Sequence, residues 1–510
     1  MRVEAYGQEA TFVDLGVEDA PERAARTHAL AEALRAAWPS ADVIVGAGTV
    51  VAVGVGLEEV RRVAIAATSV RAHAETRTHA IAAVYDGPDL AAVAEALGIT
   101  AEEAIARHTG AEYVVELVGF LPGFAYLSAR GGSPLVVPRR SAPRPKVPAG
   151  SIAVAAAFTG IYPSASPGGW NLIGRVIDAV PFDVAREPAM LFAPGDRVRF
   201  VAAEGSGESN VAWSAAVPAA DRRRSAGLGE GRPEALQESG AVGLAIVTAP
   251  ALATVQDHGR IGQLGRGLPP SGPLDPEAFA AANAAVGNLA GTAAIEIPLG
   301  SLEVEARGTT LLLSIDGEPA VQLRDGERLR VAAADRAVRY LAVRGGVTVP
   351  EVIGSRATLP SVGIGGHLGR PLRKRDVLPI GAAIGGDPAQ PAPIEDRAEL
   401  DLDPGPHLDR FPPGAYDALL STEWRVSRLG DRTGVRLEGG RIPRDRPDLA
   451  LPVPMIRGAV EVTTDGTPII LGPDHPTTGG YPVLAVLRAS SQAALARRKP
   501  GDVVRFREGR

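Results

Sequence analysis

The residues best equipped for chemistry in this 510-residue chain sit in two stretches rich in glycine, proline and large rings. "ELVGFLPGFAYLSARGGSPLVVPRR" at 116–140 holds Phe120, Phe124 and Tyr126, and "GIYPSASPGGWNLIGR" at 160–175 holds Tyr162 and Trp170. Aromatics make up only 4% of the chain, yet six of its 22 fall between Phe120 and Trp170. Such a cluster builds either a ligand wall or a barrel floor. Each glycine in "LPGF", "SPGGW" and the later "TTGGY" is explained, alone, by a tight turn. The neighbouring cations Arg139, Arg140, Arg144 and Lys146, in "PRRSAPRPKVPAG", raise the functional alternative. Prolines there reduce the entropy an anion-binding loop would lose. Lysine occurs only at 146, 374 and 499. Lys146 is therefore either kept as a compact point charge for a phosphate or carbonyl oxygen, or is an ordinary surface lysine.

In the second half, "TVQDHGRIGQLGRGLPPSGPLDPEAFAAANAAVGN" at 254–288 joins a glycine-rich segment holding Asp257, Arg260 and Arg266 to a helix capped near Asp275. This resembles a phosphate cradle only loosely. G-x-x-x-x-G-K-[ST] is absent, and "GIGGHLGR" at 363–370 misses the dinucleotide spacing. The eight histidines show no ligand spacing, so no metal site is expected, and no G-x-S-x-G elbow supports a serine hydrolase. Cysteine is absent, which removes disulfides and thiolate catalysis and makes a reducing cytoplasm the simplest expectation. A net charge of -6 argues against a nucleic-acid surface. Neither a secretory start nor a membrane span is expected, the most apolar window, at 43–57, being short and glycine-broken.

The elements that must position these residues are predicted as follows. Residues 1–85 read as a small α+β domain: an extended start, a helix around "APERAARTHALAEALRAAW", a strand pair at 43–57 and a helical "AETRTHAIAAVY". Two short helices follow, with Asp89 and Thr100 as N-caps and Gly98 as a stop. Short β-branched runs between glycines and prolines then continue to residue 200, as in a barrel or sandwich. Three segments recur in order: "AGSIAV" and "RGAVEV", "SPGGW" and "TTGGY", "PGDRVRF" and "PGDVVRF". One barrel-like unit is thus expected twice. The expected division is 1–85, a barrel at 86–203, a linker at 204–243, a first subdomain of the second half at 244–385 and a second at 386–510.

The ordered segments "GFLPGFAYL", "PRRSAPRPKVPAGSIAV" and "GIYPSASPGGWNLIGR", with "TVQDHGRIGQLGRGLPPSGPLD", "RYLAVRGGVTVPEVIGSRAT", "RTGVRLEGG" and "DHPTTGGYP", resemble the fused B and C subunits of bacterial 5-oxoprolinase. That family is also called allophanate hydrolase subunits 1 and 2, or kinase-inhibitor protein and its antagonist, and is similar to the carboxyltransferase domain of urea carboxylase. The resemblance implies an α+β, mostly β fold, with a small N-terminal domain and cyclophilin-like barrels in both halves. It implies an ATP-hydrolysing 5-oxoprolinase component that opens a cyclic amide with a separate A subunit. ATP with magnesium would be co-substrate, and no biotin would be attached to this chain. The alternatives are a carboxyltransferase-type component working with separate biotin proteins, and a non-catalytic sensor-kinase regulator. Self-association into a homo-oligomer stays open. Leu121, Thr433 and Glu461 depart from the family's pattern; at 461 a glutamine is expected.

Both chemistries need donors at a developing oxyanion and a fixed acyl carbon. The expected catalytic residues are Lys146, Arg144, Arg260 and Asp257. The expected substrate- or nucleotide-binding residues are Gly123, Phe124, Tyr126, Gly168, Gly169, Trp170, Arg266, Gly479, Gly480 and Tyr481, meeting in a cleft between the halves.

Overall fold

The computed structural model describes residues 1–67, 76–203, 242–391, 394 and 396–509. All but the last two residues of the expected linker lie outside them, and Gly243 already begins a strand. The N-terminal layer is an antiparallel sheet of Arg2–Tyr6 (β1), Ala10–Asp14 (β2), Asp42–Val45 (β3) and Thr49–Val53 (β4), ordered β1-β2-β4-β3. Helices Ala20–Ala37 (α1) and Leu57–Ala67 (α2) belong to the same unit. Successive strand residues point to opposite faces. Val13, Val43, Val45, Val50 and Ala52 join Leu30 and Leu34 of α1 on one side, while Phe12, Ile44 and Val51 face the other. Both faces are buried, which is why β3 and β4 read as unbroken apolar runs.

The first barrel contains Thr78–Val84 (β5), Tyr113–Val118 (β6), Ala125–Ala129 (β7), Ser151–Ala155 (β9), Phe158–Ile161 (β10), Asn171–Val176 (β12) and Arg197–Ala202 (β13). Arg144–Val147 (β8) and Ser166–Gly168 (β11) form a separate two-stranded ribbon. Helices Leu90–Ala96 (α3) and Ala101–Gly110 (α4) bridge β5 and β6. Two expectations are corrected here. The described part of "AETRTHAIAAVY" is not helical: it contains β5, parallel to β13 and antiparallel to β12. Burial of Ile81 and Ala83 in the barrel overrides alanine's helix propensity, so the barrel starts before residue 86. Asp89 precedes α3 but caps nothing with its side chain, whereas Thr100 accepts from the Glu103 amide.

The next unit comprises Gly243–Thr248 (β14), Thr254–Gln256 (β15), Ala294–Pro298 (β16), Leu302–Arg307 (β17), Leu311–Ile315 (β18), Val321–Leu323 (β19), Arg328–Val331 (β20), Val338–Val343 (β21) and Val377–Leu378 (β22). They form two sheets, β20-β17-β14-β22 and β15-β16-β21-β18-β19, around one core, with helix Pro276–Ala285 (α5) against β21. The second barrel contains Glu399–Pro404 (β23), Trp424–Val426 (β24), Gly434–Glu438 (β25), Ala459–Val462 (β27), Pro468–Leu471 (β28), Val483–Leu487 (β30) and Val503–Glu508 (β31). Val453–Pro454 (β26) and Thr478–Gly479 (β29) form its ribbon. The barrel starts at Glu399, inside the expected 386–510 unit.

Strand order is the same in both barrels: β10-β7-β6-β13-β5-β12-β9 and β28-β25-β24-β31-β23-β30-β27. The parallel pair β5 with β13 corresponds to β23 with β31. The sequence repeat is therefore a repeat of topology, and SPGGW and TTGGY occupy corresponding ribbons. Among the described residues, no helix is long and apolar enough to cross a membrane.

The N-terminal sheet lies between the barrels. Its second face packs Tyr6, Phe12, Ile44 and Val51 against Val453, Met455, Ile456, Val483 and Val486. Phe12 is 1% exposed. Truncating such a ring costs about 3–5 kcal/mol. Phe12→Ala should accordingly lower the denaturant midpoint sharply; an unchanged midpoint would show that the two halves do not share this core.

Candidate functional site

The two ribbons face each other across a cleft of about 300 Å³ between the barrels. From the first barrel come Phe120, Phe124, Tyr126, Tyr162 and Trp170, and from the second Glu461, Thr478 and Tyr481. The rings pack edge to face: Phe124 lies 5.0 Å from Tyr126, 5.3 Å from Tyr162 and 5.4 Å from Trp170, centroid to centroid. Each such pair adds about 0.5–1.5 kcal/mol beyond burial, so the wall is rigid. Phe120 takes φ 65°, a left-handed conformation costly for a large L-residue. Strain of this kind persists where the surroundings hold it, here by edge contacts to Phe124 and Tyr162. A Cβ on Gly119 would collide with the Thr478 side chain, so glycine there lets the barrels approach.

Glu461 belongs to β27, at a register shift between Val460 and Glu461 against β30. Bulges re-aim side chains, and this one coincides with a carboxylate in the cleft wall. Glu461 is 9% exposed. Burial pushes its pKa up to about 7; Arg436 pulls it down and Asp448 raises it. Asp448 is held by Arg444 at 2.7 Å and by the Thr464 hydroxyl at 2.9 Å. Arg139 stands exposed at the rim with no ion-pair partner among the described residues. Burial raises the pKa of Tyr126, opposed by the charge of Arg139 and by Thr478. Burial likewise lifts Tyr162 to about 12. The phenols thus stay protonated at neutral pH, leaving Arg139 as cation, Asp448 as engaged anion and Glu461 as the group that changes charge.

Of the expected binding residues, Phe124, Tyr126, Gly168, Gly169, Trp170, Gly479, Gly480 and Tyr481 all line this cleft. Gly123 does not; it turns the chain at φ 87°, with Phe182 where a Cβ would lie. Arg266 lines a different cavity. None of the four expected catalytic residues lines the cleft. Arg144 forks onto Asp89 with two contacts of 2.8 Å. Arg140 reaches the same carboxylate at 2.9 Å, and the Leu172 amide donates to it at 2.7 Å. Burial alone would raise Asp89, but these partners hold it below the usual carboxylate range. The clamp fastens the ribbon to the barrel.

Asp257 accepts from the Ser355 hydroxyl at 2.5 Å and from the Arg356 and Gly259 amides at 2.6 and 2.9 Å. Arg260, 1% exposed, donates to the carbonyls of Val352 and Ala357. Both fasten loops within the second half, although the buried Nη1 of Arg260 has no hydrogen-bond partner among the described residues. Lys146 is exposed on β8. Lys146→Ala should therefore leave turnover within about twofold of wild type, since exposed charges contribute little locally; a tenfold loss would return Lys146 to the site. Sequence reasoning did not select Pro143, Pro167, Asp448, Pro476 or Thr478, and named Phe120, Arg139 and Glu461 without assigning them to the site.

Comparison with known proteins agrees with this architecture. The family model for carboxyltransferase domain, subdomain C and D, matches residues 1–192, and that for subdomain A and B matches residues 266–508. The 5-oxoprolinase C subunit of Escherichia coli K12 is 34% identical over 280 residues, 52% of this chain and 90% of that protein. The 5-oxoprolinase B subunit of Escherichia coli O157:H7 is 47% identical over 130 residues, 25% of this chain and 59% of that protein. Urea amidolyase of Lachancea kluyveri is 32% identical over 307 residues, 51% of this chain but 16% of that protein. The crystal structure of TTHA0988 superposes with a TM-score of 0.80 at 32% identity, covering 98% of this chain and 99% of that one. The chain belongs to the carboxyltransferase-domain family, as a fusion whose first half is similar to the B subunit of 5-oxoprolinase and whose second half is similar to its C subunit.

Proposed function

We propose that this protein is the B/C component of an ATP-dependent 5-oxoprolinase, presenting the lactam of 5-oxoproline for opening to glutamate together with a separate A subunit. The observation that carries this is the pairing, in one cleft, of a guanidinium without an ion-pair partner among the described residues and a carboxyl group that is largely neutral below pH 7. The substrate carries one carboxylate and one neutral cyclic amide. Arg139 suits the carboxylate, forming a charge-assisted fork. Protonated Glu461 suits the amide carbonyl, as a hydrogen-bond donor in a poorly solvated wall. The aromatic rings cover the apolar ring carbons and exclude water.

ATP with magnesium enters as co-substrate of the assembled enzyme. The Asp448 carboxylate makes the cleft a poor seat for a triphosphate, so its phosphates are handled elsewhere. The family match and the urea amidolyase relative support a second reading, carboxyl transfer to a urea-type nitrogen with separate biotin proteins. The test is reconstitution. The purified chain with 5-oxoproline and ATP should release little glutamate, and a cognate A subunit should restore release. Robust release by the chain alone would refute the division of labour, and none with the partner would favour carboxyl transfer.

A further inference from the structure

A second cavity, of about 360 Å³, opens between the halves at a different place. The first half contributes the segment leading to Phe192, and the second contributes Gln263, Arg266, Leu268 and Ile353. Three guanidiniums line it, from Arg77, Arg186 and Arg266, against one lining carboxylate, Glu187. Arg77 is partly neutralised by Asp196 at 2.9 Å, which also meets His79 at 3.0 Å. Arg186 is spent on backbone, donating to the carbonyls of Val180, Pro181, Pro188 and Ala189. Arg266 is different: exposed, with no carboxylate in ion-pair reach among the described residues, and touching only the Gln263 side chain at 3.4 Å. Arg35, whose guanidinium donates to the Val43 carbonyl at 3.0 Å, adds positive charge nearby, and the two oppose each other.

The floor is apolar. Met190 and Leu268 are buried there beside Ile353. Ile353 holds φ 52°, a conformation that a β-branched residue adopts only under constraint. A cavity with guanidiniums on one side and an apolar floor on the other matches an anion joined to a ring, and clustered arginines select phosphate oxygens. The volume lies in the range of small-ligand sites.

We infer that this cavity is a second ligand site, for a small phosphate-bearing molecule with an apolar ring, whose phosphate is taken by Arg266 with Arg77. It stands independently of the proposal for the aromatic cleft. The test is calorimetric titration of the full chain with ADP and, separately, with inorganic pyrophosphate, without added metal. ADP should bind saturably and more tightly than pyrophosphate. Arg266→Glu should weaken ADP at least tenfold and Arg266→Gln by a smaller factor, with thermal midpoints unchanged because the side chain is exposed. Arg139→Ala, in the other cleft, should leave ADP affinity as it is. Absence of ADP binding, or ADP binding that survives Arg266→Glu, would overturn the site. Equal affinity for pyrophosphate would overturn the ring-binding floor, and loss in Arg139→Ala alone would move the ligand to the aromatic cleft.

Discussion

Wild-type turnover, reconstituted with a cognate A subunit, should fall as pH rises through about 7, and Glu461→Gln should abolish that fall. The neutral carboxylic acid and the primary amide have the same shape, and both offer a donor toward the cleft. Ionisation removes the donor and places a negative charge beside the anionic substrate. With a pKa of about 7, roughly 3% of Glu461 is protonated at pH 8.5, so the glutamine variant should then exceed wild type by about thirtyfold, and the two should converge near pH 5.5. Charges facing Glu461 come from Arg436, Asp448 and the rim's Arg139, with the buried Tyr6 and the half-buried Tyr481 alongside. Burial moves both phenols further above this pH range, which leaves Glu461 as the group expected to set the profile.

Stability should move with the same group. The folded pKa, about 7, lies above the ordinary value of 4.5. This contribution is thus fully present below about pH 4.5 and is lost as pH rises through 7. The difference corresponds to about 3 kcal/mol at most. Glu461→Gln should lose the part of the pH dependence that wild type shows between about pH 6.5 and 8.5, with a thermal midpoint above wild type at the alkaline end. A wild-type pH profile shared by the variant, in turnover and in midpoint, would remove Glu461 from the cleft's chemistry.

What could be read from residue types was mostly backbone. The repeat survived because SPGGW and TTGGY carry turn constraints that topology imposes on both barrels, and the same constraints put both motifs at the cleft. The aromatic wall was legible because large rings are scarce in this chain and were concentrated in one segment. The charges were not. Arg139, Arg140, Arg144 and Lys146 stand within eight positions of one another. Only contacts distant in sequence separate them: Asp89, 55 residues before Arg144, claims two of the four, and Lys146 is left to solvent. Arg260 and Asp257 were chosen for their glycine-rich surroundings, but their partners are again distant in sequence: the Val352 and Ala357 carbonyls accept from Arg260, and Ser355 donates to Asp257. Asp448 lies in "RDRPDLALP", where nothing local distinguishes it from other surface acids. The helix expected over β5 failed because its alanines are small enough for a barrel wall as well as for a helix.

Arg139→Ala should raise KM for 5-oxoproline by about ten- to a hundredfold while changing kcat little. The guanidinium has no ion-pair partner among the described residues to lose, so its removal takes away a substrate contact and not a structural one. A hydrogen bond to a charged group is worth about 1.5–3 kcal/mol, and about 1.4 kcal/mol is tenfold in affinity. Because the carboxylate takes no part in the bond changes at the ring carbonyl, that energy is the same in ground and transition states and appears in KM. Arg139→Lys should recover only part of it, since an ammonium cannot form the two parallel bonds of the fork. The same pair of variants separates the two readings of the cleft. A urea-type substrate has no carboxylate, so Arg139→Ala would leave its KM unchanged. An unchanged KM for 5-oxoproline, with kcat lowered instead, would mean that Arg139 acts on the reacting amide, and the polarity assigned to the cleft would have to be reversed.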